Sequence, residues 1–263
     1  MIDLHSHVLP AVDDGPATLQ DSLELARAAV AGGTRTMVAT PHIDHHWHVD
    51  PRQLGPSIEN LEVALAEQEI ELEVLPGGEI SLARLGELSE DELDLVALGG
   101  GPYLLVEAPL SPHAGEIEGL ILSPRDAGRE VLLAHPERCP SFQTSPERLE
   151  WLVRQGVRCQ VTSGSMAGRF GDRVRRFTLE LLRAGLVHDV ASDTHHHERR
   201  RPDLLGGFAA AEEELPGISA QSDWLTREAP AAILAGTELP PRPPLPEAVR
   251  RRRRLPGLRR PRA

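Results

Sequence analysis

Residues 1–7 read MIDLHSH, an apolar strand start that runs directly into two histidines. Because alternate residues of an extended strand face the same side, His5 and His7 can reach one metal ion. The same arrangement, a short apolar run followed closely by a His, Asp or Glu side chain, recurs along the chain as far as Asp193-Thr194-His195. This recurrence indicates both the fold and the chemistry.

Seven apolar runs are predicted to be strands, and most of them alternate with segments of helical periodicity. The predicted strands cover residues 1–4, 36–39, 72–75, 103–106, 131–133, 157–161 and 187–191. Such alternation is typical of parallel strands joined by right-handed crossovers in an α/β fold. We predict a β/α barrel, because polar strand ends spread along the chain do not fit the single switch point of an open doubly wound sheet.

The predicted helices alternate with these strands up to a change in composition near residue 239. They cover residues 18–32, 51–68, 116–127, 146–155 and 173–184, followed by a helical stretch from about 204 to 235. We predict a single metal-dependent domain over residues 1–238 and a disordered Pro/Arg-rich tail over residues 239–263. The glycine-rich loops that bind dinucleotides or nucleoside triphosphates do not occur.

The charge of the chain is divided unevenly. The 263 residues include 40 acidic and 28 basic ones, and all of the basic ones are arginine. Nine arginines lie in residues 242–263 beside one acid, Glu247, which leaves 19 arginines against 39 acids elsewhere. An acidic body of this kind predicts no specific nucleic-acid partner, and the basic tail predicts at most weak contact with an anionic membrane. The N-terminus lacks the pattern of a secretory signal, so we expect a cytoplasmic protein.

Nine His, Asp and Glu side chains lie at or just after the predicted strand ends. They are His5, His7, Asp14, His42, Glu79, Glu107, His135, Asp193 and His195. Each could cap a helix or be a satisfied polar residue, but nine together on one rim are better explained as metal ligands. Their number predicts two or three divalent ions, and Glu79 is the natural bridge. Mixed His and carboxylate ligands suit Zn²⁺, Mn²⁺ or Fe²⁺, and the share of carboxylates makes Mn²⁺ or Fe²⁺ credible.

Multinuclear sites of this kind activate water and stabilise in-line displacement at phosphorus. Arginines that could bind phosphate oxygens follow two of the predicted ligands: Arg138 after His135, and the run 199–201 after His195. A cysteine-based phosphatase is excluded, because its arginine would stand six positions after the cysteine. Those positions are serines for both cysteines of the chain.

Several segments, in the same order along the chain, resemble the polymerase-and-histidinol-phosphatase (PHP) superfamily of metal hydrolases, and most nearly the bacterial capsular-polysaccharide type of tyrosine-protein phosphatase. They are MIDLHSHVLPAVDDG, SLELA, ATPH, PGGEI, LVEAP, LLAHPER, GSMAGRFG and ASDTHH, within residues 1 to about 202. The resemblance implies a distorted seven-stranded β/α barrel with a trinuclear, usually manganese-dependent site. It also implies hydrolysis of phosphotyrosine on a membrane-associated tyrosine autokinase that controls exopolysaccharide assembly.

The resemblance further implies a role for each site residue. It implies one ion held by His5, His7, Glu79 and Asp193, a second by Glu79, Glu107 and His135, and a third by Asp14, His42 and His195. Arg138 and Arg200 would hold the phosphate, with Arg199 and Arg201 as alternatives to Arg200. The attacking group would be a hydroxide that bridges metal ions, so no phosphoenzyme is expected. Since the ligands must be deprotonated, activity should fall at acid pH.

Three alternatives compete with this interpretation. A small-molecule phosphomonoesterase, such as a histidinol phosphatase, would keep the fold and change the substrate. An amidohydrolase typically needs a bridging lysine, and this chain has none. A non-catalytic module is disfavoured by the complete ligand set. The sequence also departs from the family pattern at Ile43, where a second histidine is common, and leaves open whether His45, His46 and His48 contact substrate or solvent.

Overall fold

The computed structural model describes residues 1–111 and 115–246, and within them all the paired strands are parallel. The strands are β1 (Ile2–Ser6), β2 (Thr36–Ala39), β3 (His42–Ile43), β4 (Glu73–Pro76), β5 (Glu79–Ser81), β6 (Tyr103–Glu107), β7 (Glu130–Ala134), β8 (Arg158–Thr162) and β9 (Asp189–Ala191). One sheet has the order β1-β2-β4, and the other has the order β3-β5-β6-β7-β8-β9. The predicted α/β class and each predicted strand are therefore confirmed.

The helices lie between the strands. They are α1 (Leu19–Ala31), α2 (Leu54–Glu67), α3 (Leu82–Leu85), α4 (Glu90–Leu95), α5 (Glu118–Asp126), α6 (Pro140–Thr144), α7 (Pro146–Arg154), α8 (Ser163–Met166), α9 (Asp172–Ala184), α10 (Leu204–Ala211) and α11 (Ala229–Ala235). Thr18 caps α1, as predicted, through a reciprocal capping box with Asp21. None of the helices in this part of the chain combines the length and apolar character needed to cross a bilayer.

The predicted helical stretch from 204 to 235 is wrong as one helix. The chain leaves α10 and reaches α11 through a 3₁₀ turn at Ser219–Gln221 and a π-helical turn at Trp224–Glu228. Pro216 and Gly217 interrupt the helical pattern, and Gly217 adopts a φ of +89° that favours glycine.

Two of the seven predicted strands are each followed by a further short strand, and the strand pairing is divided into two sheets. β2 and β3 are separated around Pro41, which has no backbone N–H to donate, and β4 and β5 are separated by Gly77 and Gly78. A Cβ atom on Gly77 would lie 2.6 Å from Cγ1 of Val38, so only glycine allows this close approach of neighbouring strands. Glu79 therefore follows the strand β4, as predicted, and also begins the additional strand β5.

The two sheets meet where β1 lies beside the segment after β9. The backbone N–H of Asp193 donates to the carbonyl of His5 at 2.9 Å, and that of His7 donates to Thr194 at 2.9 Å. These bonds bring the beginning and the end of the predicted ligand series together at the carboxyl ends of the strands. Beneath them, a small apolar cluster lies separate from the main core; it includes Leu4, Val38, Leu98, Tyr103, Leu105, Leu132, Ala134 and Ile233.

The expectation that the chain becomes disordered at residue 239 is wrong for residues 239–246, which pack on the domain. The indole N–H of Trp224 donates to the carbonyl of Pro240 at 3.0 Å. The Arg242 guanidinium donates to the carbonyl of Val187 at 2.8 Å and to Oε1 of Gln221 at 2.7 Å. The Pro/Arg-rich composition of this segment predicted disorder. The segment is ordered because prolines lose little conformational entropy on folding and because the arginine donates hydrogen bonds to buried acceptors. The rest of the predicted tail, including its membrane contact, lies outside the described residues.

A buried histidine beside this segment makes the stability of the protein sensitive to pH. The backbone N–H of Cys159 donates to Nδ1 of His188 at 3.1 Å, which requires an unprotonated acceptor nitrogen. Burial, with the charges of Arg158 and Arg242, lowers the pKa of His188 to about 3. An unfolded histidine has a pKa of about 6.5. Below that pH, the unfolded chain therefore takes up a proton that the folded protein does not.

We expect this uptake to lower the free energy of unfolding by up to about 1.4 kcal/mol per pH unit from pH 6.5 towards pH 3. His188→Gln, which keeps an acceptor oxygen but cannot titrate, should lose stability less steeply over that range. Urea unfolding of both proteins at pH 7, 6 and 5 measures the difference. Parallel pH dependences would show that His188 is not held neutral by the fold.

Candidate metal centre

All nine predicted ligands converge at the carboxyl ends of the strands. Their ligand atoms form four groups, each within 4.8 Å: His7, Asp14, His42 and His195; His5, His7 and Asp193; His5, Glu79 and His135; and His42, Glu79 and Glu107. Four residues each belong to two groups: His5, His7, His42 and Glu79. The groups are therefore fused into one cluster rather than four separate sites.

Glu79 lies at the centre of the cluster and is 1% exposed. Its Oε1 lies 2.7 Å from Nε2 of His135. Its Oε2 lies 3.0 Å from Nδ1 of His42, 3.4 Å from Nε2 of His5 and 3.5 Å from Nε2 of His7. Two carboxylate oxygens that face four imidazoles are the arrangement expected of a carboxylate shared between ions.

Asp193 connects the cluster to the two predicted phosphate-binding arginines. Its Oδ1 lies 3.5 Å from Nε2 of His5 and 3.6 Å from Nε2 of His7. Its Oδ2 accepts a hydrogen bond from Arg138 at 2.9 Å and forms an ion pair with Nη2 of Arg200 at 2.6 Å. One carboxylate therefore faces the histidines with one oxygen and orients both guanidinium groups with the other.

The outer edge of the cluster is formed by Asp14, which is partly exposed. Its Oδ1 lies 3.2 Å from Nε2 of His195 and 3.4 Å from Nε2 of His42. His7 joins these three residues in one group. The group therefore contains the third ligand set that the resemblance implies, together with one more imidazole.

Glu107 lies on the opposite side, and its placement divides the implied second ligand set. Its Oε1 is 3.9 Å from Nε2 of His135, and its nearest complete group is the one with His42 and Glu79. Burial, and then the charge of Glu79, raise the pKa of Glu107 to about 8. Without an added positive charge, this side of the cluster holds more carboxylate than it can keep ionised.

Buried ring nitrogens without hydrogen-bond partners show that the residues fit metal ions. Nε2 of His5 and Nε2 of His7 are buried without a hydrogen-bond partner among the described residues. The outer nitrogens are engaged: Nδ1 of His5 donates to Oε1 of Gln160 at 3.0 Å, and Nδ1 of His7 donates to Asp13 at 2.6 Å. These bonds leave the Nε2 lone pairs turned inward, where an ion would bind.

The carboxylates of the cluster raise the pKa of neighbouring histidines, so that positive imidazolium charge balances the negative carboxylate charge. Burial lowers the pKa of His5, but the charges of Glu79 and Asp193 outweigh it and raise that pKa to about 9. Burial likewise lowers the pKa of His42, and hydrogen bonds to Asp14 and Glu79 raise it to about 11. Divalent ions would supply the same compensation while releasing these protons, so their affinity should rise with pH.

Two residues that support the ligands were missed by the sequence analysis. Asp13, beside the predicted ligand Asp14, binds the ring of His7 and also accepts the backbone N–H of His42 at 3.0 Å. Asp13 lies in the AVDDG segment next to Asp14, so the sequence contained an indication of its role. Gln160 lies inside the buried strand β8, and only the pairing of strands brings it to His5.

Among the three candidate arginines after His195, the structure turns Arg200 to the cluster. The carbonyl of Arg200 accepts the backbone N–H of His195 at 3.1 Å, which fixes the turn. Arg201 points to Asp203 at 3.8 Å, and Arg199 is exposed. The histidine-rich loop lies apart from the metal groups, with Nε2 of His45 3.0 Å from Glu87.

Both cysteines are buried and have no exposed surface. Burial raises the pKa of the thiols of Cys139 and Cys159, which keeps them in the unreactive form. The burial of both thiols therefore argues against a cysteine nucleophile, as the spacing of the sequence does.

The fold and the cluster define the class of protein: a parallel α/β protein with histidines and carboxylates gathered at its strand ends in the manner of multinuclear metal enzymes. Residues 1–234 match the capsular polysaccharide synthesis family CpsB/CapC, and the chain belongs to this family. This membership confirms the resemblance found in the sequence.

Relatives of known activity agree with this membership. The chain is 40% identical over 199 residues to the tyrosine-protein phosphatase YwqE of Bacillus subtilis (strain 168), covering 74% of this chain and 78% of the relative. It is 30% identical over 212 residues to the tyrosine-protein phosphatase CpsB of Streptococcus agalactiae serotype III, covering 78% of this chain and 86% of the relative.

A solved structure of metal-dependent tyrosine phosphatases has a fold similar to that of this chain. The chain matches, with a TM-score of 0.80 and 35% identity, a structure reported for YwqE from Bacillus subtilis and CpsB from Streptococcus pneumoniae, described as unique metal-dependent tyrosine phosphatases. The match covers 94% of this chain and 99% of the other. A dihydropyrimidinase from Brevibacillus agri shares the fold alone, with a TM-score of 0.55 and 15% identity.

Asp13→Asn tests whether the outer partner of His7 prepares the ligand nitrogen. The amide can present its NH₂ group to Nδ1 and favour the wrong tautomer, so we expect Mn²⁺ affinity to fall by about 10- to 100-fold. Calorimetric titration of the chelator-treated protein with Mn²⁺ at pH 7.5 measures it. Glu87→Gln, which removes an exposed carboxylate beside His45, is the matched control. Equal affinities of both variants and the unmodified protein would contradict the role of Asp13.

Proposed function

We propose that this chain is a metal-dependent protein-tyrosine phosphatase that acts in capsule or exopolysaccharide synthesis and does not use a cysteine. One observation carries the proposal: a fused cluster of nine potential ligands shares Asp193 with two arginines. Phosphate monoester hydrolysis needs both parts, a centre that activates water and a cationic clamp for the phosphoryl oxygens. The phosphatase relatives support the same activity.

The centre would hold two or three divalent ions, with Mn²⁺ favoured and Fe²⁺ or Zn²⁺ as alternatives, because the ligand set mixes imidazoles with carboxylates. The proposed ligands are His5, His7, Asp14, His42, Glu79, Glu107, His135, Asp193 and His195. Ions bound there would lower the pKa of a water molecule and neutralise charge on the phosphoryl group. Glu79 would be shared between ions, because it is central to the cluster.

Arg138 and Arg200 would bind the phosphate oxygens. Asp193 contacts one terminal nitrogen of each guanidinium group, Nη1 of Arg138 and Nη2 of Arg200. Nε of Arg200 is buried and has no hydrogen-bond partner among the described residues, so it is available to an incoming anion. A guanidinium fork that is already oriented stabilises phosphate charge without reorganising during the reaction.

The substrate would be a phosphotyrosine-bearing protein, and we propose a membrane-associated tyrosine autokinase met in the cytoplasm. The catalytic domain would comprise residues 1–238, extended by the packed segment 239–246. The two sheets, joined along β1 and the segment after β9, would be a distorted form of the seven-stranded barrel. Contact of the arginine-rich tail with anionic lipid would keep the enzyme near such a partner.

The decisive experiment compares Mn²⁺-dependent hydrolysis of a phosphotyrosine peptide with that of histidinol phosphate. We expect metal-dependent turnover of the peptide that declines at acid pH and is lost in His135→Ala, because that ring contacts Glu79. Preference for histidinol phosphate would move the enzyme to small-molecule metabolism. No turnover of either substrate with Mn²⁺, Fe²⁺ or Zn²⁺ would refute a phosphatase.

The arginine clamp is tested by matched arginine-to-lysine changes. Arg200→Lys keeps the charge but removes the planar fork, so we expect kcat/KM for the phosphotyrosine peptide to fall by about 10²- to 10³-fold. Arg201→Lys, one residue away but directed to Asp203, should stay within about twofold. Steady-state kinetics measures both variants, and equal losses would show that the turn does not select Arg200.

A further inference from the structure

Phe170 lies against both arginines of the proposed clamp. Its ring centroid is 4.6 Å from Cζ of Arg138 and 6.0 Å from Cζ of Arg200. The two arginines come from different parts of the chain, one after β7 and the other after β9. One aromatic ring therefore lies beside two cationic groups that both contact the Oδ2 atom of Asp193.

The position of Phe170 is not explained by core packing. The side chain is half-buried, and it belongs to neither of the two apolar clusters formed by the described residues. Its ring packs on α8, where Cε2 lies 3.5 Å from the place a Cβ on Gly164 would occupy. This phenyl ring lies outside the core and beside two guanidinium groups. Its electron-rich face can therefore attract these cations.

The turn that carries Phe170 is built to hold the ring in place. Gly168 and Gly171 bracket it with φ values of +86° and +90°, and the N–H of Gly171 donates to Gly168 at 3.0 Å. Nε of Arg175 on α9 donates to the carbonyl of Met166 at 3.0 Å, which fastens the start of the turn. The backbone that carries the ring is therefore held by hydrogen bonds on both sides of Phe170.

The two guanidinium groups need such a support. Nη1 of Arg138 and Nη2 of Arg200 both contact one carboxylate oxygen, Oδ2 of Asp193, so the two like charges lie close together and repel each other. A cation–π contact is worth about 0.5–2 kcal/mol, depending on solvent exposure. The ring face attracts both cations and restricts their rotation while leaving their remaining N–H groups free to bind phosphate.

We infer that Phe170 is a positioning residue of the phosphate clamp: it acts through Arg138 and Arg200 to orient them for the phosphoryl group. This inference rests on the proposed phosphatase function and concerns its anion-binding half. Phe170 would therefore influence phosphate binding and leave the binding of metal ions unchanged.

The test compares Phe170→Leu with Phe170→Tyr in the Mn²⁺-loaded protein. Leucine removes the aromatic face, so we expect the Kd for inorganic phosphate, measured by calorimetry, to rise by about five- to thirtyfold. The KM for a phosphotyrosine peptide should rise in parallel. Tyrosine keeps the face and should restore both values to within about twofold. Trp151→Leu, an exposed aromatic on α7, is the control and should change neither.

Coupling to the arginines separates positioning from a general loss of structure. In an Arg138→Ala/Arg200→Ala background, Phe170→Leu should have no further effect on phosphate binding. Mn²⁺ stoichiometry and melting temperature should match the unmodified protein in Phe170→Leu. Phosphate affinity unchanged by Phe170→Leu, or a loss of equal size without the arginines, would overturn the inference. If phosphate binding depends on Phe170 but the protein does not hydrolyse phosphotyrosine, the proposed substrate is refuted and the inference stands.

Discussion

The carboxylate of Glu79, buried among four imidazoles, is the interaction on which the rest of the structure depends. An isolated charge in a protein interior is very costly, and it is tolerated only where opposite charges and hydrogen bonds compensate it. His5, His7, His42 and His135 provide that compensation for Glu79. The same rings need partners of their own, which explains the outer contacts of His5 with Gln160 and of His7 with Asp13.

Two residues of the cluster have unusual backbone dihedral angles. His135 and Asp193 have φ values of +29° and +50°, which non-glycine residues rarely adopt. Such conformations persist where the surrounding contacts over-determine them, and they concentrate at functional sites. The glycine pair before Glu79 has a related effect, because it lets one strand stop and another start so that the carboxylate enters the cluster from β5.

Asp193 relates the two halves of the proposed reaction. One of its oxygens faces the histidines, and the other holds Arg138 and Arg200. The position of the clamp is thereby set by a residue of the metal cluster itself. Proximity of this kind is how a site binds a phosphoryl group next to an activated water without separate machinery for each. In the proposed reaction the attacking group would be water, and the two cysteines of the chain are buried.

The sequence by itself determined the parallel α/β class, the positions of the strands and the nine residues that converge. These properties are local, because the period of apolar residues reports which face is buried and a polar residue after a strand must lie at the sheet edge. Only the tertiary structure decided the division into two sheets, the choice of Arg200 among three arginines and the contact between His5 and Gln160. It also placed residues 239–246 on the domain. These outcomes depend on strand pairing, turn geometry and packing between residues far apart in the chain, and periodicity in a single sequence carries no information about which of those distant atoms meet.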